Sequence, residues 1–231
     1  MERANAPTLK DKTFKLYDVV SMLFVAVYLI SQVASAKLFS FGPFQFPGAI
    51  IIFPFSYIFG DILTEVYGYA RTRRTIWIGF FSAVLMAVTF WVVEKLPPAA
   101  GWLNQEAYEK ILGIVPRVVL GSIVGYWVGE FVNSFVMAKL KIFTEGKHLW
   151  TRTIGSTLAG QAFDTAAFVL IAFSSMMPFP VLLKLSLSVY VFKVVYETVA
   201  TPLTYAIVGY LKRIEGIDIY DRGTNFSPFR F

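Results

Sequence analysis

The stretch TIWIGFFSAVLMAVTFWVV, residues 75–93, contains no charged residue and is apolar almost throughout. A helix needs roughly 20 predominantly apolar residues to cross the hydrocarbon core of a bilayer. The apolar positions of this stretch are continuous, whereas the strands of a membrane β-barrel alternate between apolar and polar side chains. The stretch therefore predicts a membrane-spanning α-helix.

Five further stretches of similar length are also apolar, and each is bounded by charged residues, proline or glycine. We therefore expect an all-α, polytopic integral membrane protein, a bundle of about six transmembrane helices in a single domain over residues 1–231. A cytoplasmic leader at 1–15 would precede the helices, and a cytoplasmic tail at 212–231 would follow them. The predicted helices lie at about 17–38, 46–66, 75–96, 116–138, 153–176 and 184–211.

The first apolar stretch has one rival interpretation, a cleaved signal peptide that ends at the small residues Ala34, Ser35 and Ala36. The apolar run from Val19 is too long for the h-region of a signal peptide, and the polar leader before it is unusually extended. We therefore favour a membrane-spanning helix. The last predicted helix is long enough to include an interfacial turn or to be strongly tilted.

The composition agrees with a protein whose main solvent is lipid. Of the 231 residues, 56% are hydrophobic and only 16% are charged, and the mean hydropathy is +0.61. Soluble domains carry about 25% charged residues, so this chain has too few charges to cover a water-facing surface. The absence of cysteine excludes disulfides, Cys-ligated zinc, iron–sulfur clusters and thiol catalysis.

The formal charge of +6 does not indicate a nucleic-acid partner, because Lys and Arg lie in short clusters between the apolar stretches. Short loops rich in Lys and Arg stay on the cytoplasmic side of a membrane. Fifteen of the 21 Lys and Arg residues fall on one predicted side, in the leader, in 71–74, in 139–152 and in the tail. The sequence therefore predicts a multi-pass protein with both termini in the cytoplasm.

Four of the predicted helices carry polar or charged side chains at depths where hydrocarbon makes them costly. Insertion scales assign about 2.5 to 3.5 kcal/mol to an Asp, Lys or Arg at the centre of a membrane helix, so such residues normally face the bundle interior. Residues four positions apart share a helix face, as Lys193 and Glu197 do. We therefore expect a polar cavity near mid-membrane. Its candidate substrate-binding residues are Asp61, Glu65, Glu130, Asn133, Gln161, Asp164, Lys193 and Glu197.

Carboxylates, amides and aromatic rings together suit a planar heterocycle, because a carboxylate accepts two adjacent N–H groups and a ring stacks on a ring. The polar stripe on the fifth predicted helix joins Gln161 to Thr165, four positions on. The candidate aromatic lining residues are Tyr67, Trp127, Phe131 and Phe168.

The charged candidates also have structural alternatives. Asp61 and Glu65 could lie at the cytoplasmic end of their helix and pair with the arginines of 71–74. Lys193 and Glu197 could form an ion pair that serves only the fold.

The uncharged candidates have structural alternatives too. Asn133, Ser134 and Gln161 could form hydrogen bonds between helices instead of contacting a ligand. Three glycines at four-residue spacing predict a face where two helices pack closely. They are Gly121, Gly125 and Gly129.

The chain offers little for catalysis. It contains one histidine, no cysteine and no dense aspartate motif, which argues against an intramembrane enzyme. It has no Walker A pattern for ATP hydrolysis. The sequence therefore predicts no enzymatic activity, no cofactor and no metal ligand.

Several short motifs resemble the signature blocks of the bacterial queuosine precursor transporter family, and the resemblance covers nearly the whole chain. The first block is GDILTEVYG at 60–68, and the tail DIYD with TNFSPF at 218–229 is similar to the ending of that family. The other blocks are GEFVNS at 129–134, GQAFD at 160–164, KVVYE at 193–197 and PLTY at 202–205.

The resemblance implies an inner-membrane importer of 7-cyano-7-deazaguanine, 7-aminomethyl-7-deazaguanine or both, which supplies tRNA modification. It also implies a relationship to vitamin uptake transporters and to the substrate-binding membrane subunits of energy-coupling-factor transporters. The expected partners are a deazaguanine base and the lipid bilayer, without nucleic acid. A substrate-binding subunit that needs a separate energising complex stays an alternative, as does an intramembrane enzyme, and a homo-oligomer stays open.

The orientation can be tested with reporter fusions. Fusions after Lys15, Arg74 and Lys147 should report the cytoplasm, because each follows a cluster of Lys and Arg residues. A fusion near Gln105 should report the opposite side. A cytoplasmic signal near Gln105 would contradict the six-helix arrangement.

Overall fold

The computed structural model describes residues 14–143 and 149–216. Within these ranges it leaves out the side chains at 57, 130–131, 133–135, 137–143, 149–153 and 156. The described chain is almost entirely helical, which confirms the all-α, polytopic membrane fold class. Its helices are α1 (Tyr17–Ala34), α2 (Phe53–Ile62), α3 (Tyr69–Glu94), α4 (Gln105–Leu112), α5 (Val115–Phe143), α6 (Leu149–Phe173) and α7 (Phe179–Glu215).

Four described segments are long and apolar enough to cross a membrane: α1, α3, Gln105–Gly129 and α7. Thr157–Phe173 within α6 is a shorter apolar helix. Large apolar side chains on these helices point outward, as Met22, Phe81 and Val199 do with more than two thirds of their surface exposed. An exposed apolar surface of this extent suits lipid and not water. The count of six crossings stays a prediction.

The first two predicted helices differ most from the structure. α1 ends at Ala34 and not at 38, because residues 38–47 form an antiparallel hairpin of β1 (Leu38–Phe41) and β2 (Phe44–Pro47). The segment has alternating aromatic residues, which favour strands, and Gly42 takes the positive φ of +56° that its tight turn requires. Residue 46, the predicted start of the second helix, therefore lies in β2.

α2 is short and ends in an unusual way. A 3₁₀ turn over Gly48–Ile51 precedes it, and proline in its first turn fits a position where no backbone donor is needed. A π-helical turn, Leu63–Tyr67, follows it, and Gly68 with a φ of +83° separates this turn from α3. Such π-turns are rare and occur frequently at functional sites.

The last helix is one continuous element. α7 runs for 37 residues from Phe179 to Glu215, with Pro202 inside it and Gly216 in the left-handed conformation after it. The interfacial turn considered for residues 184–211 is therefore not formed. A helix of this length spans about 55 Å at 1.5 Å per residue, which exceeds the hydrocarbon thickness of roughly 30 Å.

Two apolar clusters lie at opposite ends of α7. The cluster at its start contains Phe173 and Leu185 and contacts the hairpin, and we call this the hairpin end. The cluster at its other end contains Val20, Val66 and Leu211, and we call this the terminal end. The starts of α1 and α3 therefore lie with the end of α7, as an antiparallel bundle requires.

One carboxylate ties the terminal end together. Glu215 accepts hydrogen bonds from the backbone N–H of Lys15 at 2.9 Å and of Leu16 at 2.8 Å. It also accepts one from the hydroxyl of Tyr67 at 3.1 Å, a side chain with no exposed surface. Lys15 and Leu16 lie directly before α1, so Glu215 on α7 holds the start of α1 against the end of α7.

The glycine face predicted on α5 packs against α6. A Cβ atom added to Gly121 would lie 3.0 Å from the carbonyl oxygen of Phe168, and one on Gly129 would lie 2.8 Å from the Cβ of Asp164. At Gly125 it would lie 2.8 Å from a carboxylate oxygen of Asp164. These glycines therefore let the two helices approach closely, which confirms their predicted packing role.

Candidate functional site

A cavity of about 370 Å³ lies between the helices. Its volume falls within the range of roughly 300 to 1,000 Å³ that is usual for small-molecule sites. We call it the central cavity. It is lined by side chains of α1, α2, α3, α5, α6 and α7, which brings together residues far apart in the sequence. Its polar lining includes Tyr28, Gln32, Ser56, Asp61, Ser122, Gln161, Asp164 and Lys193.

An ion pair crosses the central cavity from α6 to α7. Nζ of Lys193 lies 2.6 Å from Oδ2 of Asp164, and the side chains are 6% and 18% exposed. The same ammonium lies 4.9 Å from the ring centre of Phe53 on α2, a cation–π contact. The ammonium of Lys193 thus contacts a carboxylate on a neighbouring helix, which the spacing along α7 could not predict. The pairing of Lys193 with Glu197 stays a prediction.

Asp61 offers a second carboxylate in the cavity. It lies near the end of α2, its side chain is exposed, and it has no hydrogen-bond or ion-pair partner among the described residues. Gln161 lies on α6, three positions before Asp164, and lines the same cavity. An available carboxylate, an amide and a paired ammonium supply both acceptors and donors for a polar ligand.

A buried polar network on α1 also borders the cavity, although the predicted site residues include none from this helix. The side chain of Gln32 accepts a hydrogen bond from Ser122 on α5 at 2.9 Å and is 1% exposed. Its neighbour Ser31 is also buried and donates to the carbonyl oxygen of Tyr28 at 2.6 Å. The signal in the sequence is the spacing of residues 28, 31, 32 and 35, which places them on one helix face.

The wall of the cavity is also aromatic, and it differs from the predicted set. Phe168 lines it as predicted, together with Phe24 and Phe80. Tyr67 instead contacts Glu215 at the terminal end. Trp127 packs against Trp77 with ring centres 5.7 Å apart. The side chain of the fourth predicted residue, Phe131, lies outside the described residues.

Comparison with known families identifies the chain. Residues 47–207 match the sequence profile of the family described as "Putative vitamin uptake transporter". The chain belongs to this family. The matched range contains every cavity residue of α2 to α7, whereas the cavity residues of α1 precede it. No solved structure matches the chain.

Two curated relatives that are named as transporters are similar to part of this chain. The "Probable queuosine precursor transporter" of Bacillus subtilis is 33% identical over 147 residues, which are 63% of this chain and 64% of that protein. The "Queuosine precursor transporter" of Escherichia coli is 27% identical over 121 residues, 52% of each chain. The chain thus spans between half and two thirds of the length of these two relatives.

Two of the predicted site residues lie outside the wall of the cavity. Glu65 is in the π-helical turn, and Nζ of Lys212 lies 2.6 Å from its carboxylate, which is 61% exposed. Glu65 therefore pairs with a cation outside the cavity, as its structural alternative expected, but the cation is Lys212 and not one of the arginines of 71–74. Glu197 lies one turn after Lys193 on α7 and does not line the cavity.

The remaining predicted residues divide into two groups. The side chains of Glu130, Asn133 and Ser134 on α5 lie outside the described residues. Thr165 follows Gln161 by four positions, but it is 1% exposed and does not line the cavity. Within the described residues, no group of three or more His, Asp and Glu side chains could hold a metal ion.

The pairing of Lys193 with Asp164 can be tested by thermal unfolding in detergent. Lys193→Met should lower the melting temperature by roughly 5–10 °C, because it leaves a mostly buried carboxylate without its cation. Lys193→Met combined with Asp164→Asn should recover much of this loss, since no charge is then unpaired. Glu65→Gln is the matched control: it removes a mostly exposed carboxylate from its contact with Lys212, so it should change the melting temperature little. A large loss in Glu197→Gln with none in Asp164→Asn would contradict the pairing.

Proposed function

We propose that this protein imports a queuosine precursor, a 7-deazaguanine base, through the central cavity. The observation that supports this most is the cavity itself, which places an available carboxylate, an ion pair and aromatic rings around a volume of about 370 Å³. The relatives in Bacillus subtilis and Escherichia coli, named as queuosine precursor transporters, point to the same class of substrate. The ligand would be 7-cyano-7-deazaguanine or its 7-aminomethyl counterpart.

The proposed recognition follows from the hydrogen-bonding edge of a guanine-like ring. That edge carries a ring N–H and an exocyclic amine beside a carbonyl oxygen. Asp61 is the lining carboxylate without a described partner, so it would accept both N–H donors. Lys193 would donate to the carbonyl oxygen while it keeps its contact with Asp164. Aromatic side chains such as Phe168 would pack against the ring.

The ion pair would also keep the empty cavity compatible with a membrane. An unpaired ammonium in hydrocarbon costs several kcal/mol, whereas a paired one adds no net charge to the cavity. A neutral base could then enter without compensation by a second ion. We also propose that both termini lie in the cytoplasm, from the distribution of Lys and Arg. The resemblance to queuosine precursor transporters implies the inner membrane.

Uptake in cells that cannot make the precursor tests this function. Cells that express the protein and receive 7-cyano-7-deazaguanine should form queuosine-modified tRNA, and cells without it should form far less. Asp61→Asn should reduce uptake about tenfold or more at low substrate, because losing a charge-assisted acceptor costs roughly 1.5–3 kcal/mol. A parallel measurement with a protonophore shows whether uptake needs a proton gradient.

Glu65→Gln is the matched control, because Glu65 is a nearby carboxylate that contacts Lys212 and does not line the cavity. It should retain uptake at an equal amount of protein in the membrane. The proposed function would be overturned if queuosine-modified tRNA failed to form at every expression level of the wild-type protein. Uptake that appears only when an energising complex is present would favour a substrate-binding subunit.

A further inference from the structure

Two residues that line the central cavity carry buried hydroxyl groups with no hydrogen-bond partner among the described residues. They are the phenol of Tyr28 on α1 and the hydroxyl of Ser56 on α2. Both residues are more than nine-tenths buried, at 7% and 8% exposed surface. Buried hydroxyls in native proteins are almost always bonded, so each exception calls for a specific explanation.

The neighbouring polar groups of α1 do not supply the missing bonds. Ser31 and Gln32 both donate to the backbone carbonyl oxygen of Tyr28, and Gln32 accepts from Ser122. The ring of Tyr28 is held between apolar rings, stacked on Phe24 and tilted against Phe80. The polar groups of α1 thus bond to one another and to Ser122, and none of them bonds to the phenol of Tyr28.

We propose that Tyr28 and Ser56 are specificity-determining residues that bind uncharged polar groups of the ligand in the central cavity. The proposal rests on the proposed function and adds two residues to its site. Each hydroxyl has an O–H that can donate to a nitrile nitrogen or to a carbonyl oxygen, the uncharged acceptors of such a base. The two hydroxyls would therefore recognise the neutral substituents of a base, while Asp61 accepts from its N–H groups.

Binding of 7-cyano-7-deazaguanine to purified full-length protein tests this assignment. Tyr28→Phe and Ser56→Ala remove only the hydroxyl, and each should weaken binding about 3- to 10-fold, as expected for one neutral hydrogen bond. The melting temperature without ligand should not fall in either variant, because the unliganded protein loses no hydrogen bond. A role in folding alone would instead lower the melting temperature.

Two control variants separate the ligand from the fold. Thr165→Val removes another buried hydroxyl without a partner, at a position that does not line the cavity, and should leave the affinity unchanged. Tyr67→Phe removes a phenol that donates to Glu215 at the terminal end. It should lower the melting temperature and also leave the affinity unchanged.

The possible results distinguish this assignment from the proposed function. If the wild type binds the base and both Tyr28→Phe and Ser56→Ala bind it equally well, the assignment is overturned and the proposed function stands. If the wild type binds no 7-deazaguanine, both are overturned. The assignment would also be overturned if Thr165→Val weakened binding as much as Tyr28→Phe and Ser56→Ala do.

Discussion

A charged side chain inside a membrane protein is costly unless it is paired or faces a polar cavity, and the contact between Lys193 and Asp164 pairs two such charges in the central cavity. The pair joins α6 to α7, so it fixes two walls of the cavity with respect to each other. Among the described residues that line the cavity, Asp61 is then the only carboxylate without a partner. A cavity built in this way can bind a neutral ring and still remain stable within lipid.

The position of Asp164 depends on the neighbouring helix. Gly125 on α5 has no side chain, and a Cβ there would lie 2.8 Å from a carboxylate oxygen of Asp164. The close approach of α5 and α6 therefore does more than pack two helices, since it leaves room for the acidic partner of Lys193. At the terminal end, Glu215 holds α7 to the start of α1 and to Tyr67, which fixes the far end of the same helix.

Much of the fold could be predicted because the membrane imposes simple rules. The stretches at 75–96, 116–138 and 153–176 correspond to α3, α5 and α6 with ends that differ by several residues, since continuous apolar runs specify helices strongly. The hairpin at 38–47 was missed because most of it falls in the connection predicted between the first two helices, where two strands of four residues leave little pattern to detect. The π-helical turn after α2 has no signal in hydrophobic periodicity.

The site was predictable in part. Spacing along one helix places Lys193 and Glu197 on a shared face, but it cannot say which neighbouring helix supplies a partner. The ammonium of Lys193 contacts Asp164, which is 29 positions away in the sequence, and Glu65 contacts Lys212, which is 147 positions away. Tyr28 and Ser56 could not be predicted as site residues, because hydroxyl side chains are common in membrane helices and usually bond within the helix. Only the packed structure shows that their oxygens lack partners.

Cysteine labelling can show directly whether the ligand occupies the central cavity, because the sequence contains no cysteine. Gly60→Cys places a thiol in the cavity wall, where an added Cβ meets nothing within 4 Å. Gly209→Cys is equally open but lies outside the cavity. Saturating 7-cyano-7-deazaguanine should slow the reaction of a membrane-permeant maleimide at Gly60→Cys severalfold and leave Gly209→Cys unchanged. Equal labelling rates with and without the base at Gly60→Cys, in protein that binds it, would contradict the account.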